Sequence, residues 1–205
     1  MQNVVVTRVE ESGPPRRSRN FEERLLVRFP SLYRRPAALV QRRLSPHSRL
    51  RRTLLRRTYL SSWAAHYRWD FELILIRYAP DVIYEFDPGM QTLGLGGTYR
   101  GHEGMLEVLG KVAEAWESWE LELAYLLDLG DRVLSLGFNR SLARGSGVRL
   151  EEEYAQLVTG RDGLVAHHQA FFSWEEALRA AGLDSDAIAL PARGKTGKAA
   201  SSATA

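Results

Sequence analysis

The stretch RVLSLGFNRSLARGSGVRLEEEYAQLVTGRDGLVAHHQAFF, residues 132–172, decides the fold. Three runs rich in β-branched, aromatic and other apolar residues, Arg132–Leu142, Val148–Thr159 and Leu164–Phe172, are divided by Arg144-Gly145-Ser146-Gly147 and Gly160-Arg161-Asp162-Gly163. Short glycine-bearing gaps between such runs predict hairpins, because a tight reversal needs backbone conformations that glycine supplies cheaply. The three runs therefore read as an antiparallel meander. Glu120–Leu127, turning at Leu129-Gly130-Asp131, adds a strand before it.

Upstream of the meander the period changes to that of helices. Gly101–Trp116 carries Met105, Leu106, Val108, Leu109 and Val112 on a helical face, and follows a strand at Val82–Phe86 and a glycine-rich loop at residues 93–97. Further back, Phe21–Arg28 has helical spacing and is stopped by Pro30. Pro36, at a first helical position, opens a short helix to about Arg43. A long helical stretch starts at Ser45-Pro46, its stripe formed by Leu50, Leu54, Leu55, Tyr59, Leu60, Trp63, Ala64 and Tyr67. Asp70 is an N-cap for a helix that turns Leu73, Ile74 and Tyr78 inward and ends at Ala79-Pro80-Asp81. Ser173 caps a last helix, Trp174–Ala181, which Gly182 closes. This order is α+β: helices that can bury their stripes only against one face of a long antiparallel sheet. A sheet curled around them makes a cone with an internal pocket.

A chain of 205 residues suits one domain with accessory segments. The expected divisions are a flexible leader at 1–20, a basic helical extension at 21–58, the α+β domain at 59–183 and a disordered tail at 184–205. With no cysteine, disulfides, thiolate metal sites and cysteine nucleophiles are excluded. The five histidines lack close metal spacing, and His167-His168 alternate across a strand, so no metal site is expected. No apolar run approaches the roughly 18 residues of a membrane span. Nor does the start have the order of a signal peptide, so a cytoplasmic location is expected. Charge is uneven: residues 1–70 hold 16 arginines, no lysine and five acids, whereas the remainder holds 12 basic and 20 acidic residues. Such a front either docks on its own acidic domain or offers residues 16–57 to nucleic acid or an anionic surface.

Several pieces stand in an order and spacing that resemble a known family. They are Asp70-Phe71-Glu72, Tyr78-Ala79-Pro80-Asp81-Val82, Gly97-Thr98-Tyr99-Arg100-Gly101-His102-Glu103-Gly104, Gly130-Asp131-Arg132-Val133, Arg144-Gly145-Ser146-Gly147-Val148 and Trp174-Glu175-Glu176-Ala177-Leu178 with Ala180-Ala181-Gly182-Leu183. From about Tyr59 to Leu183 the chain resembles the SnoaL-like branch of the nuclear-transport-factor-two-like superfamily. The resemblance implies a cystatin-like curved antiparallel sheet wrapped around helices, with the ligand in the cone. The family includes polyketide cyclases, ketosteroid isomerase, limonene-epoxide hydrolase and scytalone dehydratase, so it carries the scaffold and leaves the chemistry to the site.

By that resemblance the last strand turns Ala166, His168, Ala170 and Phe172 into the pocket, and the strand before it adds Glu151, Glu153, Ala155 and Leu157. If Gly160 pairs with Gly163, Glu153 is the diagonal neighbour of His168; if Arg161 pairs with Leu164, it moves out of reach. His167 and Gln169 point away. Carrying over the isomerase's catalytic set, Asp87-Pro88 matches the general base, but the oxyanion donors fall on Ser62 and Ala155. The epoxide hydrolase's aspartate falls on Ala170. A dehydratase-like histidine pair would be His66 and His168. The catalytic candidates are thus Asp87, His168 and Glu153, with Ser62, His66, Ala155, Leu157, Ala170 and Phe172 lining the pocket. A carboxylate and an imidazole in an apolar cavity suit proton transfer without a cofactor.

The function expected is binding of a small, largely apolar molecule in the cone, without cofactor. The alternatives are a cofactor-free cyclase, isomerase, dehydratase or hydrolase, and a dimeric interaction protein using the basic helix. A homodimer through the outer sheet face is expected from the family's habit.

Overall fold

A computed structural model describes residues 4–9, 18–88 and 94–184. Its elements are β1 (Val5–Arg8), α1 (Phe21–Arg28), α2 (Ser31–Arg43), α3 (Arg49–Tyr67), α4 (Phe71–Leu75), β2 (Tyr78–Phe86), β3 (Gly97–Arg100), α5 (Gly101–Ala115), β4 (Trp116–Asp128), β5 (Arg132–Ala143), β6 (Arg149–Arg161), β7 (Leu164–Phe171) and α6 (Trp174–Ala181). The strands form one curved, unclosed sheet in the order β1-β4-β5-β6-β7-β2-β3. All neighbours are antiparallel except β2 and β7, which run parallel. The α+β cone and its meander are as the sequence implied.

Local chemistry sets the helix ends. Asn20 and Glu23 form a reciprocal capping box on α1. Asp70 accepts the Leu73 N–H at 3.2 Å to start α4, and Ser173 accepts that of Glu176 to start α6. Gly182, at φ 75°, ends α6 in the left-handed conformation. The inner face of the sheet packs on α3, α4 and α5 around Leu73, Ile74, Met105, Val108, Tyr84, Phe86 and Trp119. α6 covers the outer face of β5 and β6 through Ala177, Leu178, Leu136, Ala155 and Leu157. Gly137 on β5 is where Trp63 of α3 lies flat on the sheet: a Cβ there would stand 2.0 Å from the Glu122 carbonyl and 2.7 Å from the Trp63 ring.

Five features differ from the sequence reading. Within the expected leader, Val5–Arg8 pairs with β4 as an edge strand. Gly97–Arg100, between the expected loop and the helix starting at Gly101, is a strand on β2. α2 begins at Ser31, so Pro36 sits inside the helix. α3 begins at Arg49 under a Ser48 cap, and Leu50 faces solvent. Tyr78 leaves the helix and opens β2, where Pro80 falls in an irregularity between the paired Tyr78 and Ile83 and needs no ladder partner. The expected tail from residue 185 onward lies outside the described residues, as does Leu93.

Part of the charge asymmetry is docking on the domain. Arg51, 4% exposed at its side chain, makes paired hydrogen bonds of 2.7 and 2.8 Å to Asp128 and also reaches the carbonyls of Leu44 and Gly130. Gln41 clasps the β6–β7 turn, donating to the Gly160 carbonyl at 2.7 Å and accepting the Gly163 N–H at 3.1 Å. Arg19 pairs with Asp70 and Glu72, and Arg42 with Asp162. Burial of Asp70 works against its charge, but Arg19 and the Leu73 N–H outweigh it and hold the carboxyl below its ordinary range.

Candidate functional site

One turn decides which side chains face the interior. Asp162 and Gly163 have φ of 53° and 81°, the two positive values of a two-residue hairpin turn, so Arg161 pairs with Leu164. Gly160 then pairs with Val165 but Thr159 pairs with His167, leaving Ala166 as the extra residue of a β-bulge. A slip of one residue exchanges the faces of β6 relative to β7. Val158, Gln156, Tyr154 and Glu152 therefore share the inner face with His168 and Ala170. The expected partners Glu153, Ala155 and Leu157 are corrected to the outer face. Ala155 and Leu157 pack under α6, and Glu153 accepts the Trp174 N–H at 2.9 Å, so it does not meet His168.

β7 itself follows the expectation. His168 is 1% exposed on the inner face; His167 and Gln169 turn outward to Glu85. The parallel register sets Tyr84 beside His168, ring centroids 4.5 Å apart. Tyr78 Oη lies 2.7 Å from His168 Nδ1. Burial pushes the Tyr78 hydroxyl far up, so it keeps its proton and can donate it to Nδ1. The imidazole proton then rests on Nε2, a buried atom with no hydrogen-bond partner among the described residues. Burial, with His66 and His167 nearby, lowers the His168 pKa to about 3, so the ring is neutral at pH 7.

His66 on α3 is the second buried imidazole. Its Nδ1 is 2.8 Å from the Ser62 carbonyl, which can only accept, so the proton is on Nδ1 and Nε2 is the ring's acceptor. Burial lowers its pKa to about 4 against the raising effect of that bond, and Arg77 lowers it further. Arg77 is itself buried, donating to Ser61 Oγ at 2.8 Å and to the Leu73 carbonyl, with Tyr33 of α2 stacked 5.9 Å from its guanidinium carbon. Ser61 passes the contact to Glu23 of α1 at 3.0 Å. Thus the extension is tied to the helices behind the two histidines.

Toward the other end of the inner face, Tyr84 and Tyr154 are hydrogen-bonded, and Gln156 donates to the Tyr154 hydroxyl at 3.1 Å. Trp119 and Phe172 meet Tyr154 edge-on, and Phe86 stacks on Tyr84 with centroids 5.9 Å apart. Glu152 pairs across the sheet with Asn139. Burial raises the Glu152 carboxyl above its ordinary range. The Asn139 side chain is fully buried, and its Oδ1 has no partner among the described residues. Asp87, at the end of β2, accepts the Phe172 N–H at 3.1 Å, which fixes the corner between β7 and α6.

The structure thus sets His66, on the Ser62 carbonyl, and His168 at one end of the inner face and Ala170 and Phe172 toward the other, and sends Glu153, Ala155 and Leu157 to the outer face. Tyr78, Tyr84, Tyr154, Gln156, Asn139 and Glu152 were missed. For the four on β5 and β6 the period of two was a usable signal, but only with the bulge located. A separate surface cleft of about 450 Å³ lies between Ser18, Arg19 and residues 68–72. Arg19, Arg68 and Asp70 there already pair with acids or bases in its rim.

Comparison with known proteins agrees with this architecture. A family model described as SnoaL-like domain matches residues 56–168, more than half of the chain. No curated protein sequence matches. Among solved structures, TerC co-crystallised with polyporic acid is 28% identical, with a TM-score of 0.53, covering 60% of this chain and 96% of TerC. An NTF2-like protein of unknown function from Burkholderia pseudomallei K96243 is 26% identical, with a TM-score of 0.54, covering 60% of this chain and 93% of its own. An NTF2-like protein from Burkholderia thailandensis E264, 24% identical at a TM-score of 0.51 over 62% and 93% of the two chains, shares the fold.

Proposed function

Since the chain belongs to the SnoaL-like domain family, we propose that its cone binds a small, largely apolar aromatic molecule without a cofactor. The supporting observation is His168: a neutral, buried imidazole with an unmet Nε2 among the rings of Tyr78 and Tyr84. An unpaired polar atom at such depth is costly, and a ligand oxygen would satisfy it. The rings of Phe86, Trp119, Tyr154 and Phe172 suit a flat partner. The similarity to TerC supplies a probe. Polyporic acid titrated into the protein should quench tryptophan fluorescence, and Gln156→Leu with Tyr154→Phe should weaken binding roughly 10-fold or more. Unchanged affinity in that variant would move the site out of the cone.

Acid–base catalysis is the second reading, favoured by Glu152. An imidazole of pKa about 3 or 4 is a poor match to chemistry at neutral pH, whereas a carboxyl raised by burial moves toward it. Glu152 would remove a proton next to a ligand carbonyl, and the tyrosine hydroxyls would hold the oxygen. Exchange of the α-hydrogens of 1-tetralone in D2O reads this directly. Catalysed exchange lost by about 10²-fold in Glu152→Gln supports catalysis; exchange at the background rate leaves binding alone. A homodimer would use the strip of outer face around Glu85, His167 and Gln169 that α6 leaves open, and sedimentation of His167→Glu would test it.

A further inference from the structure

The side of the extension turned away from the domain has a composition unlike the rest of the surface. Of the nine exposed large apolar residues described, six lie between residues 21 and 50: Phe21, Leu25, Phe29, Leu32, Leu39 and Leu50. Phe21 is 82% exposed and Leu39 61%. Their spacing is helical. On α1, Glu23, Leu26 and Val27 face the domain while Phe21, Arg24, Leu25 and Arg28 face out. On α2, Tyr33, Ala37, Ala38, Val40 and Gln41 face the domain, and Leu32, Arg35, Pro36, Leu39 and Arg43 face out. The outward side is therefore amphipathic in its own right: large apolar groups among arginines.

The charges sharpen this. Arg24, Arg28, Arg35 and Arg43 are exposed and make no ion pair with any described residue. The two acids of residues 18–58 are already engaged, Glu22 by Arg57 and Glu23 in the buried contacts to Ser61 and Arg68. An outward face of apolar side chains and unpaired cations, with its acids engaged, is complementary to an apolar layer beneath a sheet of anionic groups. A second copy of this chain is a poor occupant, since two-fold pairing would set arginine against arginine. Nucleic acid would engage the arginines and stack on two phenylalanines but leave Leu25, Leu32 and Leu39 in water.

We propose that the outward side of α1 and α2 docks on an anionic lipid surface, with Phe21, Leu25 and Leu39 entering the headgroup region and Arg24, Arg28, Arg35 and Arg43 contacting phosphates. The docked side of the extension stays on the cone, so lipid binding needs no unfolding. The test is co-sedimentation of the full chain with vesicles of phosphatidylcholine alone or with about 30% phosphatidylglycerol. Binding is expected to the anionic vesicles only, and to weaken with salt. Phe21→Ser with Leu39→Ser should reduce it by about 10-fold or more. Arg24→Gln with Arg28→Gln should reduce it by a comparable factor, at roughly fivefold per arginine. Val148→Ser, an exposed apolar residue outside the extension, should change nothing, and circular dichroism checks that each variant is folded. Equal binding to both vesicles, no binding, or full binding by the serine variant overturns the proposal. Tight binding to a single-stranded oligonucleotide in the absence of vesicle binding replaces it with nucleic acid. A dimer dissolved by the serine variant, without vesicle binding, replaces it with self-association.

Discussion

The extension and the cone treat polar groups in opposite ways. On its docked side the extension uses charge, and the charges it buries are answered: Arg51 by Asp128, Glu23 by Arg68 and Ser61. The cone's inner face, Glu152 apart, uses mostly neutral groups, and some have no partner among the described residues: His168 Nε2, Asn139 Oδ1 and the indole nitrogens of Trp63 and Trp116. Satisfied buried charge fixes one element on another. Unsatisfied neutral groups in an aromatic wall are what a ligand can complete. The contrast teaches that the extension is held by the sort of pairing that makes structure, whereas the cone keeps hydrogen-bonding capacity in reserve.

The comparison predicts a graded set of effects. Among substitutions the largest belongs to Arg51→Leu, which strands the Asp128 carboxylate in the interior. A loss of about 3–5 kcal/mol is expected in urea unfolding, much of it regained by Arg51→Leu with Asp128→Leu. A loss below 1 kcal/mol would mean that α3 is not anchored there. Next is acid. The unfolded chain protonates its histidines near pH 6.5, but the folded chain resists until about pH 4 at His66 and about pH 3 at His168. Stability is therefore full above pH 6.5 and falls as pH drops toward 4, by at most about 1.4 kcal/mol per pH unit for each histidine. Thermal unfolding should show this slope, and His168→Gln should flatten it. Tyr78→Phe leaves His168 Nδ1 unpaired and should cost about 1–3 kcal/mol. Gln41→Ala removes both bonds to the β6–β7 turn for about 1–2 kcal/mol. The exposed Arg42–Asp162 pair comes last: Arg42→Gln should cost below about 1 kcal/mol and less in salt.

Some of this was legible in the sequence. Asp70, Ser173 and Gly182 announced their caps, because each chemistry acts within one helical turn. The alternation in β7 set His167 and His168 on opposite faces, and the family resemblance chose His168 for the inside. The family's scaffold was legible from turns and caps spread over the domain. What was hidden depends on non-local geometry. The bulge at Ala166 has no compositional mark, yet it turned Tyr154, Gln156 and Glu152 inward in place of Glu153, Ala155 and Leu157. The four-residue strands β1 and β3 are too short for a period to register, and the parallel partnership of β2 with β7 joins segments some 80 residues apart. The front's 16 arginines allowed both an arm and a docked helix, and nothing in the sequence marked Arg51 and Arg42 as the ones that meet Asp128 and Asp162.

The neutral, unanswered state of the cone's interior is read most directly by nitrogen NMR of the histidine rings, from pH 5 to 8, with and without polyporic acid. His66 and His168 are expected to keep neutral-ring shifts throughout, with the proton of His168 on Nε2 and that signal moving when the ligand is added. Titration of His168 near pH 6.5, or an Nε2 signal indifferent to a ligand that demonstrably binds, would contradict the assignment of the cone's inner face as the binding site.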